Sequence, residues 1–151
     1  MARKTRVKWA DVPAEHDYPA AASYLRLLAA ADTVEALTTQ LSQVQTVQQH
    51  AKDILRAAGL PLLPADDPEV AKDLQKVASG VPLSPILLVR GDLAAGHHLQ
   101  VADGYHRVCA SYHLSEDTEI PCRIAALQPP AKASAPARTP GRIRQQSRPA
   151  R

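Results

Sequence analysis

The chain has 151 residues, 45% of them hydrophobic, with no Phe and a single Trp, which suits one compact domain whose core is built from Leu, Val, Ile and Ala. No run of about 18 apolar residues is present to span a bilayer, and Met1-Ala2-Arg3-Lys4-Thr5-Arg6 leads into no apolar signal segment, so a cytoplasmic location without a membrane partner is expected. The net charge of +3 hides a division: from Pro129 onward six basic residues stand without an acid, whereas residues 1–128 hold twelve basic against fifteen acidic residues, a balance of −3.

An N-terminal segment carrying Val7 and Trp9 precedes a first helix, which Pro19 is suited to open and whose apolar face is Tyr24, Leu25, Leu27 and Leu28. Asp32 or Thr33 then caps a second helix with Val34, Leu37, Leu41 and Val44 at helical spacing. A third is expected from about Thr46 through Ile54 and Leu55 until Gly59 stops it. Asp67-Pro68-Glu69 supplies the cap, first-turn proline and early acid of a fourth helix, with Val70, Leu74 and Val77 on its face and Gly80 at its end.

Beyond Gly80 the period changes. Ile86-Leu87-Leu88-Val89 is a short continuous apolar run between Pro85 and Gly91, the pattern of a strand buried on both faces. Gly91 to Gly96 forms a turn, and His98 to Ala102 is the returning strand. A helix from Gly104 to about Leu114 follows, with Tyr105, Val108, Cys109 and Tyr112 as its apolar stripe. Glu119 to Ile124 reads as the last strand, and Pro121 places it, or that part of it, at a sheet edge. The fold class is thus α+β, a small mixed sheet-and-helix core preceded by an all-helical half. The expected division is a helical region over residues 1–66 packing on the core, an α/β core over 67–127, and a disordered basic Pro/Ala/Arg-rich tail over 128–151. Cys109 and Cys122, outside any CxxC spacing, read as reduced core thiols.

The most informative stretch is the corner Asp103-Gly104-Tyr105-His106-Arg107. Gly104 permits a tight strand-to-helix turn, and the amides of Tyr105, His106 and Arg107 begin a helix with no intrahelical partner, a natural seat for an anion. Arg107 is placed to fork onto two phosphate oxygens and His106 to donate to a third, so removing Arg107 is expected to abolish binding and spare the fold. Asp103 either caps the helix or holds Mg²⁺ against the phosphates. Tyr105 combines an amide at the site with a ring that starts the apolar stripe. The competing reading of His106 and Arg107 is a solvated helix start paired with nearby acids.

Other polar groups are weaker candidates. His97 and His98 face opposite ways on an extended strand, so one alone is placed to join Asp103 or His106 around a metal. Arg90-Gly91-Asp92 lines the same pocket only if both strands end on one side. Lys52, Asp53 and Arg56 are explained by ion pairing along a helix, and Asp66 and Asp67 by capping.

The order of a Gly-terminated helix, a Pro-Ile-x-x-Val strand, a strand ending in Asp-Gly, a basic helix start and an Ile-Pro-x-x-Ile strand resembles the ParB/sulfiredoxin fold over about residues 68–125. ParB-type domains carry Gly-Glu-Arg-Arg-x-Arg-Ala at this turn. Here Gly104, Arg107 and Ala110 match, and Tyr105 and Cys109 depart. The resemblance implies a nucleotide site for ATP or CTP, with Mg²⁺. Sulfiredoxins carry Gly-Gly-Cys-His-Arg, and Tyr105 stands at their nucleophilic cysteine; a phenol with a pKa of about 10 does not replace a thiolate, which argues against that activity. The Asp-Gly-His-His-Arg of the free serine kinases of this fold is similar to Asp103-Gly104-Tyr105-His106-Arg107, without a clear counterpart of their catalytic carboxylate.

Three functions follow as expectations. The first is a nucleotide- or phosphate-binding protein, regulatory or DNA-associated, in which Gly104, Tyr105, His106 and Arg107 hold the ligand and residues 129–151 attract nucleic acid nonspecifically. The second is a small Mg²⁺-dependent kinase or phosphohydrolase with Asp103, also the metal ligand, and His106 as catalytic groups. The third is a non-catalytic interaction module whose helical half is the partner surface.

Overall fold

The computed structural model describes residues 6–127, so the basic tail expected from residue 128 lies outside the described residues. The elements in chain order are α1 (Asp17–Leu25), α2 (Ala31–Gln43), β1 (Val47–His50), α3 (Ala51–Ala58), α4 (Pro68–Ala78), β2 (Ile86–Val89), β3 (Gln100–Asp103), α5 (Tyr105–Leu114) and β4 (Glu119–Ala125). The class is α+β, with one mixed sheet in the order β1-β4-β2-β3. β2 runs parallel to β4, whereas the β1–β4 and β2–β3 pairs are antiparallel.

The unbroken apolar run of β2 has its cause in packing on both sides. Ile86 and Leu88 point into a core shared with Ile54 and Leu55 of α3, Val70 of α4 and Val108 of α5. Leu87 and Val89 point the other way, into a core shared with Ala21, Ala22 and Leu25 of α1 and Val34, Leu37 and Leu41 of α2. Alternation along a strand sends successive side chains to opposite faces, so both faces must be covered when every residue is apolar. All four β2 residues are buried.

Several local signals produce the expected elements. The Asp67 carboxylate accepts from the amides of Glu69 and Val70, Pro68 opens α4, and Gly59 in the left-handed region closes α3. Asp92 and His97 pair across the turn between β2 and β3.

Three expectations are corrected, and a fourth holds only for the part of the strand at Pro121. The helix expected from Thr46 begins only at Ala51, because Val47–His50 pairs with Cys122–Glu119 of β4 and joins the sheet; the first half of the chain is therefore not all helical. The amides of Ala51 and Lys52 donate to the carbonyls of Thr118 and Glu116, which fixes the strand-to-helix break. In α1 the buried face is Ala21, Ala22 and Leu25, while Leu27 and Leu28 follow the helix and are 82% and 55% exposed. α2 starts at Ala31 behind Ala30 with no side-chain cap, and Asp32 lies inside its first turn. β4 is an interior strand, yet its pairing with β2 starts at Cys122, so Pro121, opposite Gln48, has a strand neighbour on the β1 side alone.

The turn from β3 into α5 is tightly packed. Gly104 has φ +118°, and a Cβ built there would lie 2.4 Å from Ile86 Cγ2 and 3.0 Å from Arg107 Nη2. Backbone conformation and packing both demand glycine. Gly104→Ala is expected to cost about 2–4 kcal/mol through strain and overpacking together, read as a lower denaturant midpoint at unchanged slope. A loss below about 0.5 kcal/mol would show that the corner shifts freely, contrary to this packing.

Candidate functional site

A cleft of about 450 Å³ opens in front of this corner. One wall is the N-terminal segment with Ala10, Val12, Ala14, His16 and Asp17; the opposite wall is α4 with Glu69, Asp73 and Lys76. Pro82, Leu83 and Ser84 form the floor, and Asp103, Gly104, His106 and Arg107 close the end. The N-terminal wall is held by backbone pairing, since the amide of Ala10 donates to the Leu83 carbonyl and that of Leu83 to the Lys8 carbonyl, each at 2.8 Å.

The corner is not arranged as the sequence suggested. Gly104, not Asp103, is the N-cap residue of α5, and no side chain caps the helix. The Asp103 carboxylate instead accepts from Arg107 Nη2 at 2.6 Å, and Arg107 Nη1 lies 3.6 Å from Asp17 Oδ2. Asp17 is 3% exposed. It accepts from the Ala14 amide at 3.0 Å and from the Ser84 hydroxyl at 2.5 Å. The guanidinium is therefore the shared counter-ion of two carboxylates and mostly enclosed. Burial pushes the Asp103 carboxyl above its usual range, with Arg107 opposing the shift and Asp17 adding to it.

His106 is half-exposed and 4.0 Å from the Asp67 carboxylate that caps α4. The Tyr105 hydroxyl donates to the Pro61 carbonyl at 2.6 Å, so its side chain ties α5 to the loop before α4 and leaves only its amide at the corner. Lys76 adds a second permanent cation to the cleft. Asp73 is shifted upward by burial, against the opposing pull of Lys76, Arg107 and His106.

The remaining candidates fall elsewhere. Because β2 and β3 are antiparallel, the end of β3 at Asp103 meets the start of β2, and Arg90, Asp92, His97 and His98 lie at the far end of the hairpin. That distance is about 15 Å at the usual rise of a strand, which removes them from the cleft. Lys52 pairs with Asp117 at 2.7 Å rather than along its own helix, while Asp53 lies 3.7 Å from His50. Cys109 and Cys122 are free and buried, and burial pushes the Cys122 thiol up to about 12, so both are poor nucleophiles.

No cluster of three His, Cys, Asp or Glu able to hold a metal ion occurs among the described residues. With the Asp103 carboxylate bonded to Arg107, the chain forms no closed metal cage there. A Mg²⁺ ion would have to share its coordination with a bound ligand's oxygens, as that ion commonly does. No helix among the described residues is long and apolar enough to cross a membrane.

Sequence reasoning missed Asp17, Asp73, Lys76 and Ser84. Asp17 alone carried a local signal, as an acid two residues before a helix proline. The others enter the cleft through pairings of segments distant in sequence. The chain matches no family model, no curated protein and no solved structure.

Two predictions follow from this electrostatic arrangement. Arg107→Ala leaves Asp17 and Asp103 without their cation and is expected to cost about 3–5 kcal/mol, contrary to the expectation that it spares the fold. Chemical denaturation checks this, and Asp17→Asn in the same background should recover part of the loss. For Asp73 the raised folded-state value means that its protonated form favours folding. That contribution is full below the ordinary carboxylate range and is lost as pH rises through the raised value. Asp73→Asn should therefore raise the melting temperature more at pH 7 than at pH 4; an equal effect at both would refute the sign.

Proposed function

We propose that the cleft binds a nucleotide or another phosphate-bearing small molecule, and that the protein is a regulatory or DNA-associated nucleotide-binding protein of the cytoplasm. The observation that carries this reading is the uncapped start of α5 facing an open cleft that also presents Lys76 and His106. Helix starts of this kind favour anions through free amides and the helix dipole. The resemblance of residues 68–125 to the ParB/sulfiredoxin fold points to the same corner.

The charge balance refines the ligand. Among the described residues lining the cleft, the acids Asp17, Glu69, Asp73 and Asp103 outnumber the permanent cations Lys76 and Arg107; Lys72, outside the lining, pairs with Glu69 at 3.7 Å, and Arg107 is already engaged by two of the acids. A bare polyphosphate would meet repulsion here, so the ligand arrives with a divalent cation that screens it. In this arrangement Gly104, Tyr105 and His106 contribute backbone donors, His106 and Lys76 contribute side chains, and Arg107 holds the floor rather than gripping phosphate. Residues 129–151, six basic residues without an acid, are proposed to add nonspecific contact to nucleic acid.

A second reading, a small Mg²⁺-dependent kinase or phosphohydrolase, is favoured by one observation. Asp17 supplies a second carboxylate beside Asp103, with Arg107 between them. Phosphoryl transfer relies on positioning and on an acid-base group near the attacking oxygen, and this pair lies at the end of the cleft.

Thermal shift with ATP, CTP and their diphosphates tests the binding. Stabilisation is expected in the presence of Mg²⁺, about 2.7 kcal/mol at a ligand concentration one hundred times Kd. Lys76→Ala and His106→Ala should each weaken affinity about tenfold, the loss of one charge-assisted hydrogen bond. No stabilisation by any phosphate compound would reject the proposal and favour a protein-interaction module.

A further inference from the structure

We infer that Ser84 is a phosphoryl acceptor: a nucleophile activated by buried Asp17 that takes the terminal phosphoryl group of a nucleoside triphosphate bound in the cleft of the same chain. The inference rests on the phosphate-ligand reading above and extends it to a covalent step.

Ser84 and Asp17 form the pair that such a step requires, a hydroxyl whose proton already points at a carboxylate. The Ser84 hydroxyl donates to Asp17 Oδ2 at 2.5 Å. Asp17 is itself held by a third group, since the Ala14 amide donates to the same carboxylate oxygen at 3.0 Å and Arg107 Nη1 lies 3.6 Å from it. Nucleophile, base and orienting group are the general arrangement of an activated hydroxyl. The Ala14 amide also donates to Ser84 Oγ at 2.9 Å, which fixes the rotamer and leaves the oxygen one further lone pair.

Two other serine hydroxyls are placed differently. Those of Ser42 and Ser111 donate to the carbonyls of Thr39 and Arg107, which accept a hydrogen bond but take up no proton at neutral pH. A bridge serving only to fasten the N-terminal segment to the start of β2 could be sealed in the core. Ser84 instead is half-buried and lines the cleft, next to buried Pro85, in a lining that also includes Lys76, Gly104 and His106.

The step balances without an added oxidant or reductant. A bond forms between Ser84 Oγ and the terminal phosphorus as the bond from that phosphorus to the bridging oxygen breaks. The nucleoside diphosphate leaves with that electron pair, and the hydroxyl proton passes to Asp17 Oδ2.

The test is incubation of the full chain with terminally labelled ATP, and separately CTP, in Mg²⁺ buffer, followed by peptide mass mapping and by thermal shift on the same samples. One phosphoryl group on Ser84 is expected, gained with a rate constant independent of protein concentration. Asp17→Asn should slow labelling about 10²–10⁴-fold, Ser84→Thr should retain label at position 84, and Ser84→Ala should lose it. Mapping on the unsubstituted chain decides the matter should a variant fail to fold. Nucleotide stabilisation with Ser84 unlabelled would overturn the acceptor role and leave ligand binding standing. Neither stabilisation nor label would overturn both, and label on another residue, or labelling that speeds up with protein concentration, would overturn transfer within one chain.

Discussion

Arg107 between Asp103 and Asp17 is the interaction on which the cleft depends. Three segments meet in it: the end of β3, the first turn of α5 and the first turn of α1. Charges taken out of water cost several kcal/mol each unless their partners are well placed, so removing one member penalises the others more than the pair stabilises the fold. The Asp17 carboxylate, 3.6 Å from Arg107 Nη1, also accepts from the Ala14 amide and the Ser84 hydroxyl. A single buried acid thus pins the N-terminal wall to the floor and keeps the cleft open in front of the corner.

This constraint changes what the corner offers a ligand. An arginine at a helix start usually reads as a phosphate fork, but here Nη2 donates to Asp103 and Nη1 lies 3.6 Å from Asp17. In the proposed binding mode the α5 amides, His106 and Lys76 take that part instead. The excess of carboxylates over permanent cations in the cleft lining is the charge condition that a proposed ligand has to meet. The proposed nucleotide with a divalent cation satisfies that condition, and the Ser84–Asp17 pair would lie beside its reacting end.

The packing explains why the corner is so tightly drawn. Gly104 lies against Ile86, and Ile86 belongs to the strand that carries both cores. Displacing the turn would disturb β2 and with it the contacts of helices on both faces. A register shift between Leu87 and Leu88, opposite the last residues of β3, sits next to this point, where an irregularity can redirect the strand toward the helix. The tight corner therefore originates in a sheet clamped from both sides that ends in a glycine turn.

Much of this was legible in the residues themselves, because the signals are local. The Asp67-Pro68-Glu69 start of α4, the continuous apolar run of β2, the turn at Gly91 to Gly96 and the glycine before α5 each follow from chemistry within a few positions. The corner was found by the same means, as were the buried thiols. What the sequence could not decide were the outcomes set by distant partners. Val44, Val47, Ala51 and Ile54 carry a helical spacing, yet pairing with β4 turns residues 47–50 into a strand, since hydrogen bonds across a sheet outweigh a weak local preference. Ser84, Asp73 and Lys76 carry no local sign of a site, and Arg107 read alone is free to bind a ligand. Only the folding of the N-terminal segment beside residues 82–84 brings Asp17 within reach of that guanidinium, because electrostatic partners are chosen by proximity in space and not along the chain.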